Sequence, residues 1–344
     1  MARLHCVIIG NGSAGNEAAS ILRSGDQEAR ITIISAEPTF YVCRHRLAGF
    51  LVEEGELESL AVYPPAWYEE RDIRLRLNQP VVKVNPREKC LFVAHREKIR
   101  YDKLLVCSGA GHRIPEYLSH FKDLLTRFSN GKDALLLKER MAKVNHVTLL
   151  GGDCIALQLL TVLLPAGKKV TLVMDEYRFW PLEFDEKTKD RLANALEKKG
   201  VDVIHNDYVV DIARNGNRLK IETRNGSKIE TDEALVCSGM TPSLEYLGDS
   251  GIDMQQGILV NELLETNIDN VWAAGECAQI YYPEIKDYRL STGYVNAKNQ
   301  GERAARNMLG GSEKVALPAL GHVVIEGEKF GTYGWKGFSL DETA

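Results

Sequence analysis

The chain of 344 residues is long enough for two or three domains, and its 44% hydrophobic and 26% charged residues are typical of a globular protein. The net charge of −5 gives no general reason to expect nucleic-acid binding, and no apolar run approaches the length of a membrane span. Seven cysteines without a C-x-x-C pair, and histidines without metal-ligand spacing, argue against a disulfide framework and a metal site, so we expect no metal and a reducing cytoplasm.

The first predicted elements, in residues 4–37, are a buried strand, a glycine-rich turn, a helix and a second strand. The turn VIIGNGSAG has glycines at Gly10, Gly12 and Gly15. In a dinucleotide-binding turn the first glycine permits the tight bend and the second lets the backbone approach the pyrophosphate. The third lets the helix pack closely on the strand. The spacing therefore predicts such a site.

The helix after this turn begins near Ser13 and Ala14, and its oriented N–H groups and positive dipole favour an anion. Glu37 ends the next strand, where an acid can accept hydrogen bonds from the ribose hydroxyls of an adenosine. The alternative is a glycine turn made only for packing. Because strand, helix and terminal acid are all in register, we expect a cofactor here.

A later apolar strand, YDKLLVCSGA in residues 101–110, ends in Ser108 and Gly109. The segment TDEALVCSGM, residues 231–240, repeats it. Residues 146–176 likewise repeat the first strand, turn, helix and second strand. The chain therefore contains two related nucleotide-binding-type units in series.

The second turn, LLGGDCIALQ, departs from the nucleotide-binding pattern. Gly151 and Gly152 are present, but Asp153 stands where the second key glycine lets the backbone meet pyrophosphate. A carboxylate there weakens phosphate binding by repulsion, less so if it turns outward or if a lysine such as Lys168 screens it. The turn is either a weakened nicotinamide site or a strand-to-helix turn retained for packing.

The strand after the second helix ends in Asp175 and Glu176, where the adenosine ribose of a nucleotide needs an acid. Acids at this point favour NADH over NADPH. We therefore expect NAD(H) to bind measurably but weakly.

The segment TNIDNVWAAGECAQ, residues 266–279, is a predicted strand that breaks at Gly275 before an acid, Glu276. It resembles the second flavin motif of the FAD-dependent pyridine nucleotide–disulphide oxidoreductase superfamily, T-x(4)-[IV]-[FYW]-A-x-G-D, which contacts FAD. The segments YDKLLVCSGA and NAKNQGERAARNMLG resemble two further segments of that superfamily. Where the superfamily usually has aspartate, this chain has Glu276, a longer acid that should still reach the ribityl hydroxyls.

The resemblance implies an α/β fold with two Rossmann-like nucleotide-binding domains. The FAD domain is then discontinuous, with residues 1–110 and 245–310, and the NAD(P)-binding-type domain is inserted as residues 111–244. Residues 311–344 resemble the opening of the family's C-terminal interface domain, cut short.

Residues 37–51, EPTFYVCRHRLAGFL, resemble two subfamilies. The pattern T-F-x-x-C resembles NADH oxidases, NADH peroxidases and coenzyme A–disulphide reductases, and implies that Cys43 is a redox cysteine facing the flavin. The pattern R-x-R-L, with Arg44 and Arg46, resembles rubredoxin reductases and nitrite reductase flavin domains, which use no cysteine. Because the segment around Trp67 also follows the rubredoxin-reductase pattern, we expect Cys43 to be a small buried residue.

The resemblance implies an FAD-dependent NAD(P)H oxidoreductase that exchanges electrons with a redox protein, expected to contain iron. Cys43, Arg44 and Arg46 are the candidates beside the reacting edge. The expected partner is an electron carrier or an iron–sulfur or other metalloenzyme subunit, in a hetero-complex or dimer. Two alternatives stay open. One is a thiol or peroxide reductase, or an NADH oxidase, that acts through Cys43, and the other is an FAD electron-relay subunit whose NAD site has decayed.

Overall fold

The structure, a computed structural model, describes residues 3–94, 97–175 and 182–316 and the backbone of four short strands between residues 322 and 339. The chain divides into two compact units. The first unit comprises Met1–Arg44, Glu56–Gly111 and Thr241–Ala319, and the second comprises His45–Gly55, His112–Met240 and Leu320–Ala344. These limits lie close to the predicted boundaries near residues 110 and 245, except that His45–Gly55 groups with the second unit.

The helices and strands alternate along most of the chain. The first half of the chain contains β1 (His5–Ile9), α1 (Ser13–Gly25), β2 (Arg30–Ile34), α2 (Leu47–Phe50), α3 (Pro65–Glu69), β3 (Ile73–Arg76), β4 (Val81–Asn85), β5 (Cys90–Val93), β6 (Lys98–Arg100), β7 (Lys103–Val106), β8 (Gly111–His112), α4 (Gly131–Met141), β9 (His146–Leu150), α5 (Cys154–Leu163) and β10 (Lys169–Val173). The second half contains β11 (Leu182–Glu183), α6 (Glu186–Lys198), β12 (Asp202–Ile204), β13 (Val209–Asn215), β14 (Arg218–Thr223), β15 (Lys228–Thr231), β16 (Glu233–Val236), β17 (Met240–Thr241), β18 (Ile258–Val260), β19 (Val271–Ala273), β20 (Ala278–Tyr282), β21 (Asp287–Leu290), α7 (Tyr294–Met308), β22 (His322–Ile325), β23 (Glu328–Gly331), β24 (Gly334–Trp335) and β25 (Phe338–Ser339).

The first unit is built on a parallel sheet with strand order β19-β7-β1-β2-β3. Every residue of β1 is buried, as expected for a central strand that is covered on both faces. The strands β2 and β3 lie on one side of β1, and β7 and β19 lie on the other. The strand order therefore reverses beside β1, and in such sheets ligands bind at the carboxyl ends of the strands at the point of reversal.

The second unit repeats this plan with the parallel order β12-β10-β9-β16 and adds the antiparallel sheet β13-β14-β15. Here β9 corresponds to β1, β10 to β2 and β16 to β7. Alternate residues of β14 are buried, because only one face of its sheet is covered. The predicted α/β fold class with parallel sheets is confirmed.

Helix α7 packs on α1 in the first unit through a glycine. A Cβ atom built on Gly301 would lie 2.2 Å from the carbonyl oxygen of Ala14, so the two backbones approach more closely than any larger residue allows. Within residues 3–94, 97–175 and 182–316, no helix is both long and apolar enough to cross a membrane.

The substitution Gly301→Ala should therefore destabilise the protein by about 1–3 kcal/mol, because the new methyl group meets rigid backbone at the helix contact. This clash outweighs the gain of about 1 kcal/mol that alanine normally gives over glycine in a helix. The matched control is Gly49→Ala in α2, where the new Cβ would meet only the movable carboxylate of Glu53, at 2.9 Å. Denaturant unfolding followed by circular dichroism measures both variants, and equal midpoints would contradict the close packing.

Candidate functional site

The first glycine loop leaves β1 and enters α1 through a conformation that requires glycine. Gly10 has φ +115°, and a Cβ atom there would lie 2.0 Å from the carbonyl oxygen of Cys107, the residue after β7. A Cβ atom on Gly15 would lie 2.1 Å from the carbonyl oxygen of Gly10. Both predicted glycine roles, the tight bend and the close packing of the helix, therefore have a direct steric cause.

The space next to Gly12 is open, and the end of α1 is not capped by a side chain. No atom lies within 4 Å of a Cβ built on Gly12, and no side chain hydrogen-bonds to the N-terminal amides of α1. The first amides of a helix have no partner within the helix and, together with the helix dipole, attract an anion. The pyrophosphate of FAD would meet these amides, with Ser13 and Ala14 at the beginning of the helix, so the residues present fit this cofactor.

A cavity of the first unit opens beside this loop. It is lined by Asn11, Gly12, Ser13, Glu37, Thr39, Phe40, Tyr41, Val42 and Arg44. Glu37 and Arg44 form an ion pair across it, with 2.7 Å between Oε1 and the guanidinium nitrogen, and both side chains remain about two-fifths exposed. Glu37 is therefore at the loop as predicted for a ribose ligand, and Arg44 is its partner.

A buried polar network that sequence reasoning missed supports the loop from below. The Asn16 side chain donates to the carbonyl oxygen of Gly12 at 2.9 Å and to Oδ1 of Asn11 at 2.9 Å. Its own Oδ1 accepts from the Tyr68 hydroxyl at 2.7 Å. Tyr68 follows the tryptophan of the predicted W-Y pattern, so one role of that pattern is to hold the glycine loop.

Cys43 lies below this cavity and is only 4% exposed. The Tyr41 hydroxyl lies 2.8 Å from the Ser13 hydroxyl and donates to the Cys43 sulfur at 3.9 Å. Burial raises the pKa of Tyr41, so its hydroxyl stays protonated. Arg46 is an exposed residue of the His45–Gly55 segment.

The predicted flavin segments follow two adjacent strands that end at the same sheet edge as β1. In these strands Val106 of β7 pairs with Ala273 of β19, so Ser108 and Gly109 lie beside Gly275 and Glu276. Gly109 and Gly275 both have positive φ, +68° and +81°. The Glu276 carboxylate accepts from the Gly293 amide at 3.2 Å, and burial raises the pKa of Glu276 against the opposing influence of Arg44.

Two further residues of this edge were not found from the sequence. Gln300 of α7 is buried, accepts from the Gly275 amide at 2.7 Å and donates to the Ser291 hydroxyl at 2.6 Å. The Thr292 hydroxyl is buried and has no hydrogen-bond partner among the described residues. A buried hydroxyl without a partner costs stability, so Thr292 would suit a ligand that hydrogen-bonds to it. Gln300 lies in the segment that resembles the flavin helix, which was the only available signal.

The second loop has the same backbone but a different chemistry. Gly151 has φ +105°, and its Cβ would meet the carbonyl oxygen of Cys237 at 2.5 Å, as Gly10 would meet Cys107. Asp153, however, is 1% exposed, and its carboxylate accepts hydrogen bonds from three backbone amides. It neither turns outward nor meets Lys168, whose ammonium donates to two backbone carbonyls instead. The loop as it stands does not offer a pyrophosphate the amides that it needs.

The remaining predicted residues of this loop are placed only in part. Gly152 lies between Gly151 and the Asp153 cap, and Asp175 is exposed just after β10. Glu176 lies outside the described residues. Within the described ranges, no group of three His, Cys, Asp or Glu side chains is placed to hold a metal ion.

Residues 4–301 match the model of the family described as pyridine nucleotide-disulphide oxidoreductase. The chain is 27% identical to the nitrite reductase [NAD(P)H] of Bacillus subtilis over 81% of this chain and 35% of that protein. It is 25% identical to the rubredoxin-NAD(+) reductase of Pseudomonas putida over 91% of this chain and 82% of that protein. The chain thus spans about a third of the nitrite reductase but most of the rubredoxin reductase.

The fold is also that of a solved ferredoxin reductase from Rhodopseudomonas palustris. The two structures share 22% sequence identity with a TM-score of 0.87, over 94% of this chain and 81% of the other. A structure of the covalent putidaredoxin reductase–putidaredoxin complex matches with 20% identity and a TM-score of 0.84, over 94% of this chain and 78% of that one.

The first loop predicts the outcome of Gly12→Asp. The backbone of Gly12, with φ −103° and ψ −165°, accepts any residue, so the variant should fold. The new carboxylate should cap α1 and fill the open space, so the purified protein should be colourless where the unaltered protein is yellow with non-covalently bound FAD. Visible absorbance and circular dichroism measure this.

The matched control is Gly216→Asp, which adds the same charge at an open position with φ +62°, a conformation that aspartate tolerates. This control should keep its flavin. A normal FAD content in Gly12→Asp would contradict the assignment of the first loop.

Proposed function

The chain belongs to the pyridine nucleotide-disulphide oxidoreductase family, and on this basis we propose that it is an FAD-dependent NAD(P)H oxidoreductase that exchanges electrons with an iron-containing redox protein. Residues 1–110 and 245–310 would hold FAD, and residues 111–244 would hold the pyridine nucleotide. Two relatives support the electron partner through their names, the rubredoxin-NAD(+) reductase of Pseudomonas putida and the ferredoxin--NAD(P)(+) reductase of a Sphingomonas species.

The observation that carries the proposal is the first loop with its adjoining strand ends. An uncapped helix N-terminus, an open position at Gly12 and an acid at Glu37 match the pyrophosphate and ribose of one FAD molecule. Glu276 and Thr292 supply a carboxylate and an unpartnered hydroxyl farther along the same sheet edge. These groups would bind and orient the cofactor.

FAD, when bound, supplies the chemistry, because a flavin can take two electrons as a hydride and release them singly. The residues of the chain need only hold the reactants in place, so no general acid or base is required. Arg44 would act through its ion pair with Glu37, and Arg46 offers an exposed positive charge that favours an acidic carrier. Both stay proposals for the region of the reacting edge.

The thiol alternative is less well supported by the environment of Cys43. Reactive thiols are usually partly exposed and lie in positive surroundings, whereas Cys43 is 4% exposed and receives a hydrogen bond from a phenol. We therefore propose a structural role for Cys43.

The setting and the partner are part of the same proposal. We propose a cytoplasmic protein, because its seven scattered cysteines suit a reducing compartment. The B. subtilis nitrite reductase is nearly three times as long as the region that this chain matches. A separate carrier or a metalloenzyme subunit, in a hetero-complex or dimer, would supply the missing electron acceptor or donor.

An anaerobic titration tests the proposed function. NADH, and less effectively NADPH, should bleach the flavin absorbance of the purified protein. Oxidised rubredoxin or a [2Fe–2S] ferredoxin should restore it faster than oxygen does. If neither nucleotide nor reduced carrier changes the flavin spectrum, the proposed electron transfer is wrong.

The role of Cys43 gives a separate prediction. Cys43→Ser should keep at least about half of the carrier-reduction rate, because a buried thiol that only packs can be replaced by a group of similar size. The matched control is Cys90→Ser, which alters a fully buried cysteine of β5. Normal bleaching by NADH with complete loss of turnover in Cys43→Ser alone would establish the thiol mechanism instead.

A further inference from the structure

The second glycine loop contains a residue that takes the position of a bound phosphate. Gly12 precedes α1 with φ −103° and ψ −165°, and Asp153 precedes α5 with φ −125° and ψ 177°. Both residues occupy the N-cap position, two residues after a glycine of strongly positive φ. The two loops therefore have equivalent backbones, and the side chain at the N-cap is the difference that matters.

The Asp153 carboxylate satisfies the amides that an external anion would use. Its Oδ1 accepts from the amides of Ile155 and Ala156 at 2.9 and 3.0 Å, in the first turn of α5. Its Oδ2 accepts from the Gly239 amide at 3.0 Å, in the loop that follows β16. An aspartate in this position is a strong helix cap, and it ties the glycine loop to the neighbouring strand end.

A second polar group points at the same place. The His112 side chain is fully buried, and its Nε2 donates to the carbonyl oxygen of Phe128 at 2.7 Å. Its Nδ1 lies 3.9 Å from Asp153 Oδ2 and has no hydrogen-bond partner among the described residues. A buried polar atom without a partner is unusual, and here it faces the anion position of the loop.

These contacts exclude the simple pattern of nucleotide binding seen in the first loop. At α1 the amides face open space, but at α5 a carboxylate already receives them. A pyrophosphate that arrived with Asp153 in place would meet a buried negative charge and no available donors. Entry of the nucleotide therefore requires the Asp153 side chain to leave.

We propose that Asp153 is a built-in competitor of the nucleotide pyrophosphate, so that a pyridine nucleotide binds this loop only by displacing the Asp153 carboxylate from the N-terminus of α5. This inference rests on the proposed function, which makes the loop a pyridine-nucleotide site. Asp153 thereby sets the affinity of the chain for its nucleotide, while FAD meets no such competitor in the first loop.

The test is equilibrium binding of ADP-ribose to the FAD-loaded full chain by calorimetry. ADP-ribose carries the pyrophosphate and the adenosine but no hydride, so its binding is independent of flavin reduction. Asp153→Gly should bind it about 10- to 100-fold more tightly than the unaltered protein, because the variant removes both the competitor and its charge. Asp153→Ser keeps a capping hydroxyl without the charge and should bind with intermediate affinity.

The matched control is Asp185→Gly. Asp185 caps α6 by accepting from the Thr188 amide at 2.7 Å, away from any glycine loop, so its loss should leave ADP-ribose binding unchanged. Circular dichroism verifies folding, and if Asp153→Gly fails to fold, Asp153→Ser decides the question. Equal dissociation constants for the unaltered protein and the folded Asp153 variants, or no binding in any of them, would overturn the proposal.

The same proteins separate this inference from the proposed function. Tighter ADP-ribose binding in Asp153→Gly, with no flavin bleaching by NADH in either protein, would support the competitor and overturn the oxidoreductase. Bleaching by NADH with unchanged ADP-ribose binding would support the oxidoreductase and overturn the competitor.

Discussion

The first amides of a helix must be satisfied, and this constraint organises both units of the protein. A helix that follows a parallel strand through a glycine turn points its unbonded N–H groups at the carboxyl edge of the sheet. The chain builds this arrangement twice. At Gly12 the absence of a side chain leaves the amides of α1 to a ligand, whereas at Asp153 the protein supplies the anion itself. One side chain thus decides whether the same backbone forms an open site or a closed one.

The features that could be predicted from sequence are those that depend on steric requirements of the backbone. Gly10 and Gly151 have positive φ and lie against the carbonyl oxygen of a neighbouring strand end, where only glycine fits. Such positions are visible as spaced glycines after apolar runs, and the buried parallel strands are visible as those runs. The paired units and the α/β class followed from these patterns.

The features that could not be predicted depend on contacts between residues far apart in the chain. Tyr68 supports the loop through Asn16, 52 residues earlier, and Glu276 receives the amide of Gly293, 17 residues later. No local pattern marks such pairs. The direction of the Asp153 side chain was also hidden, because the sequence shows a charge near a phosphate position but not the three amides that draw it inward.

The contrast between the loops suits the different roles of the two ligands in the proposed reaction. A flavin that remains bound through many turnovers benefits from an open, pre-formed site, because nothing must be displaced when it binds. A nucleotide that must leave after each hydride transfer does not need tight binding, and uniform tight binding of substrate and product gives no gain in turnover. When the nucleotide leaves, the Asp153 carboxylate can return to the amides of α5, so these buried donors are satisfied in both states. Weak nucleotide binding by this chain is therefore compatible with efficient electron transfer, and Asp153 does not by itself indicate a decayed site.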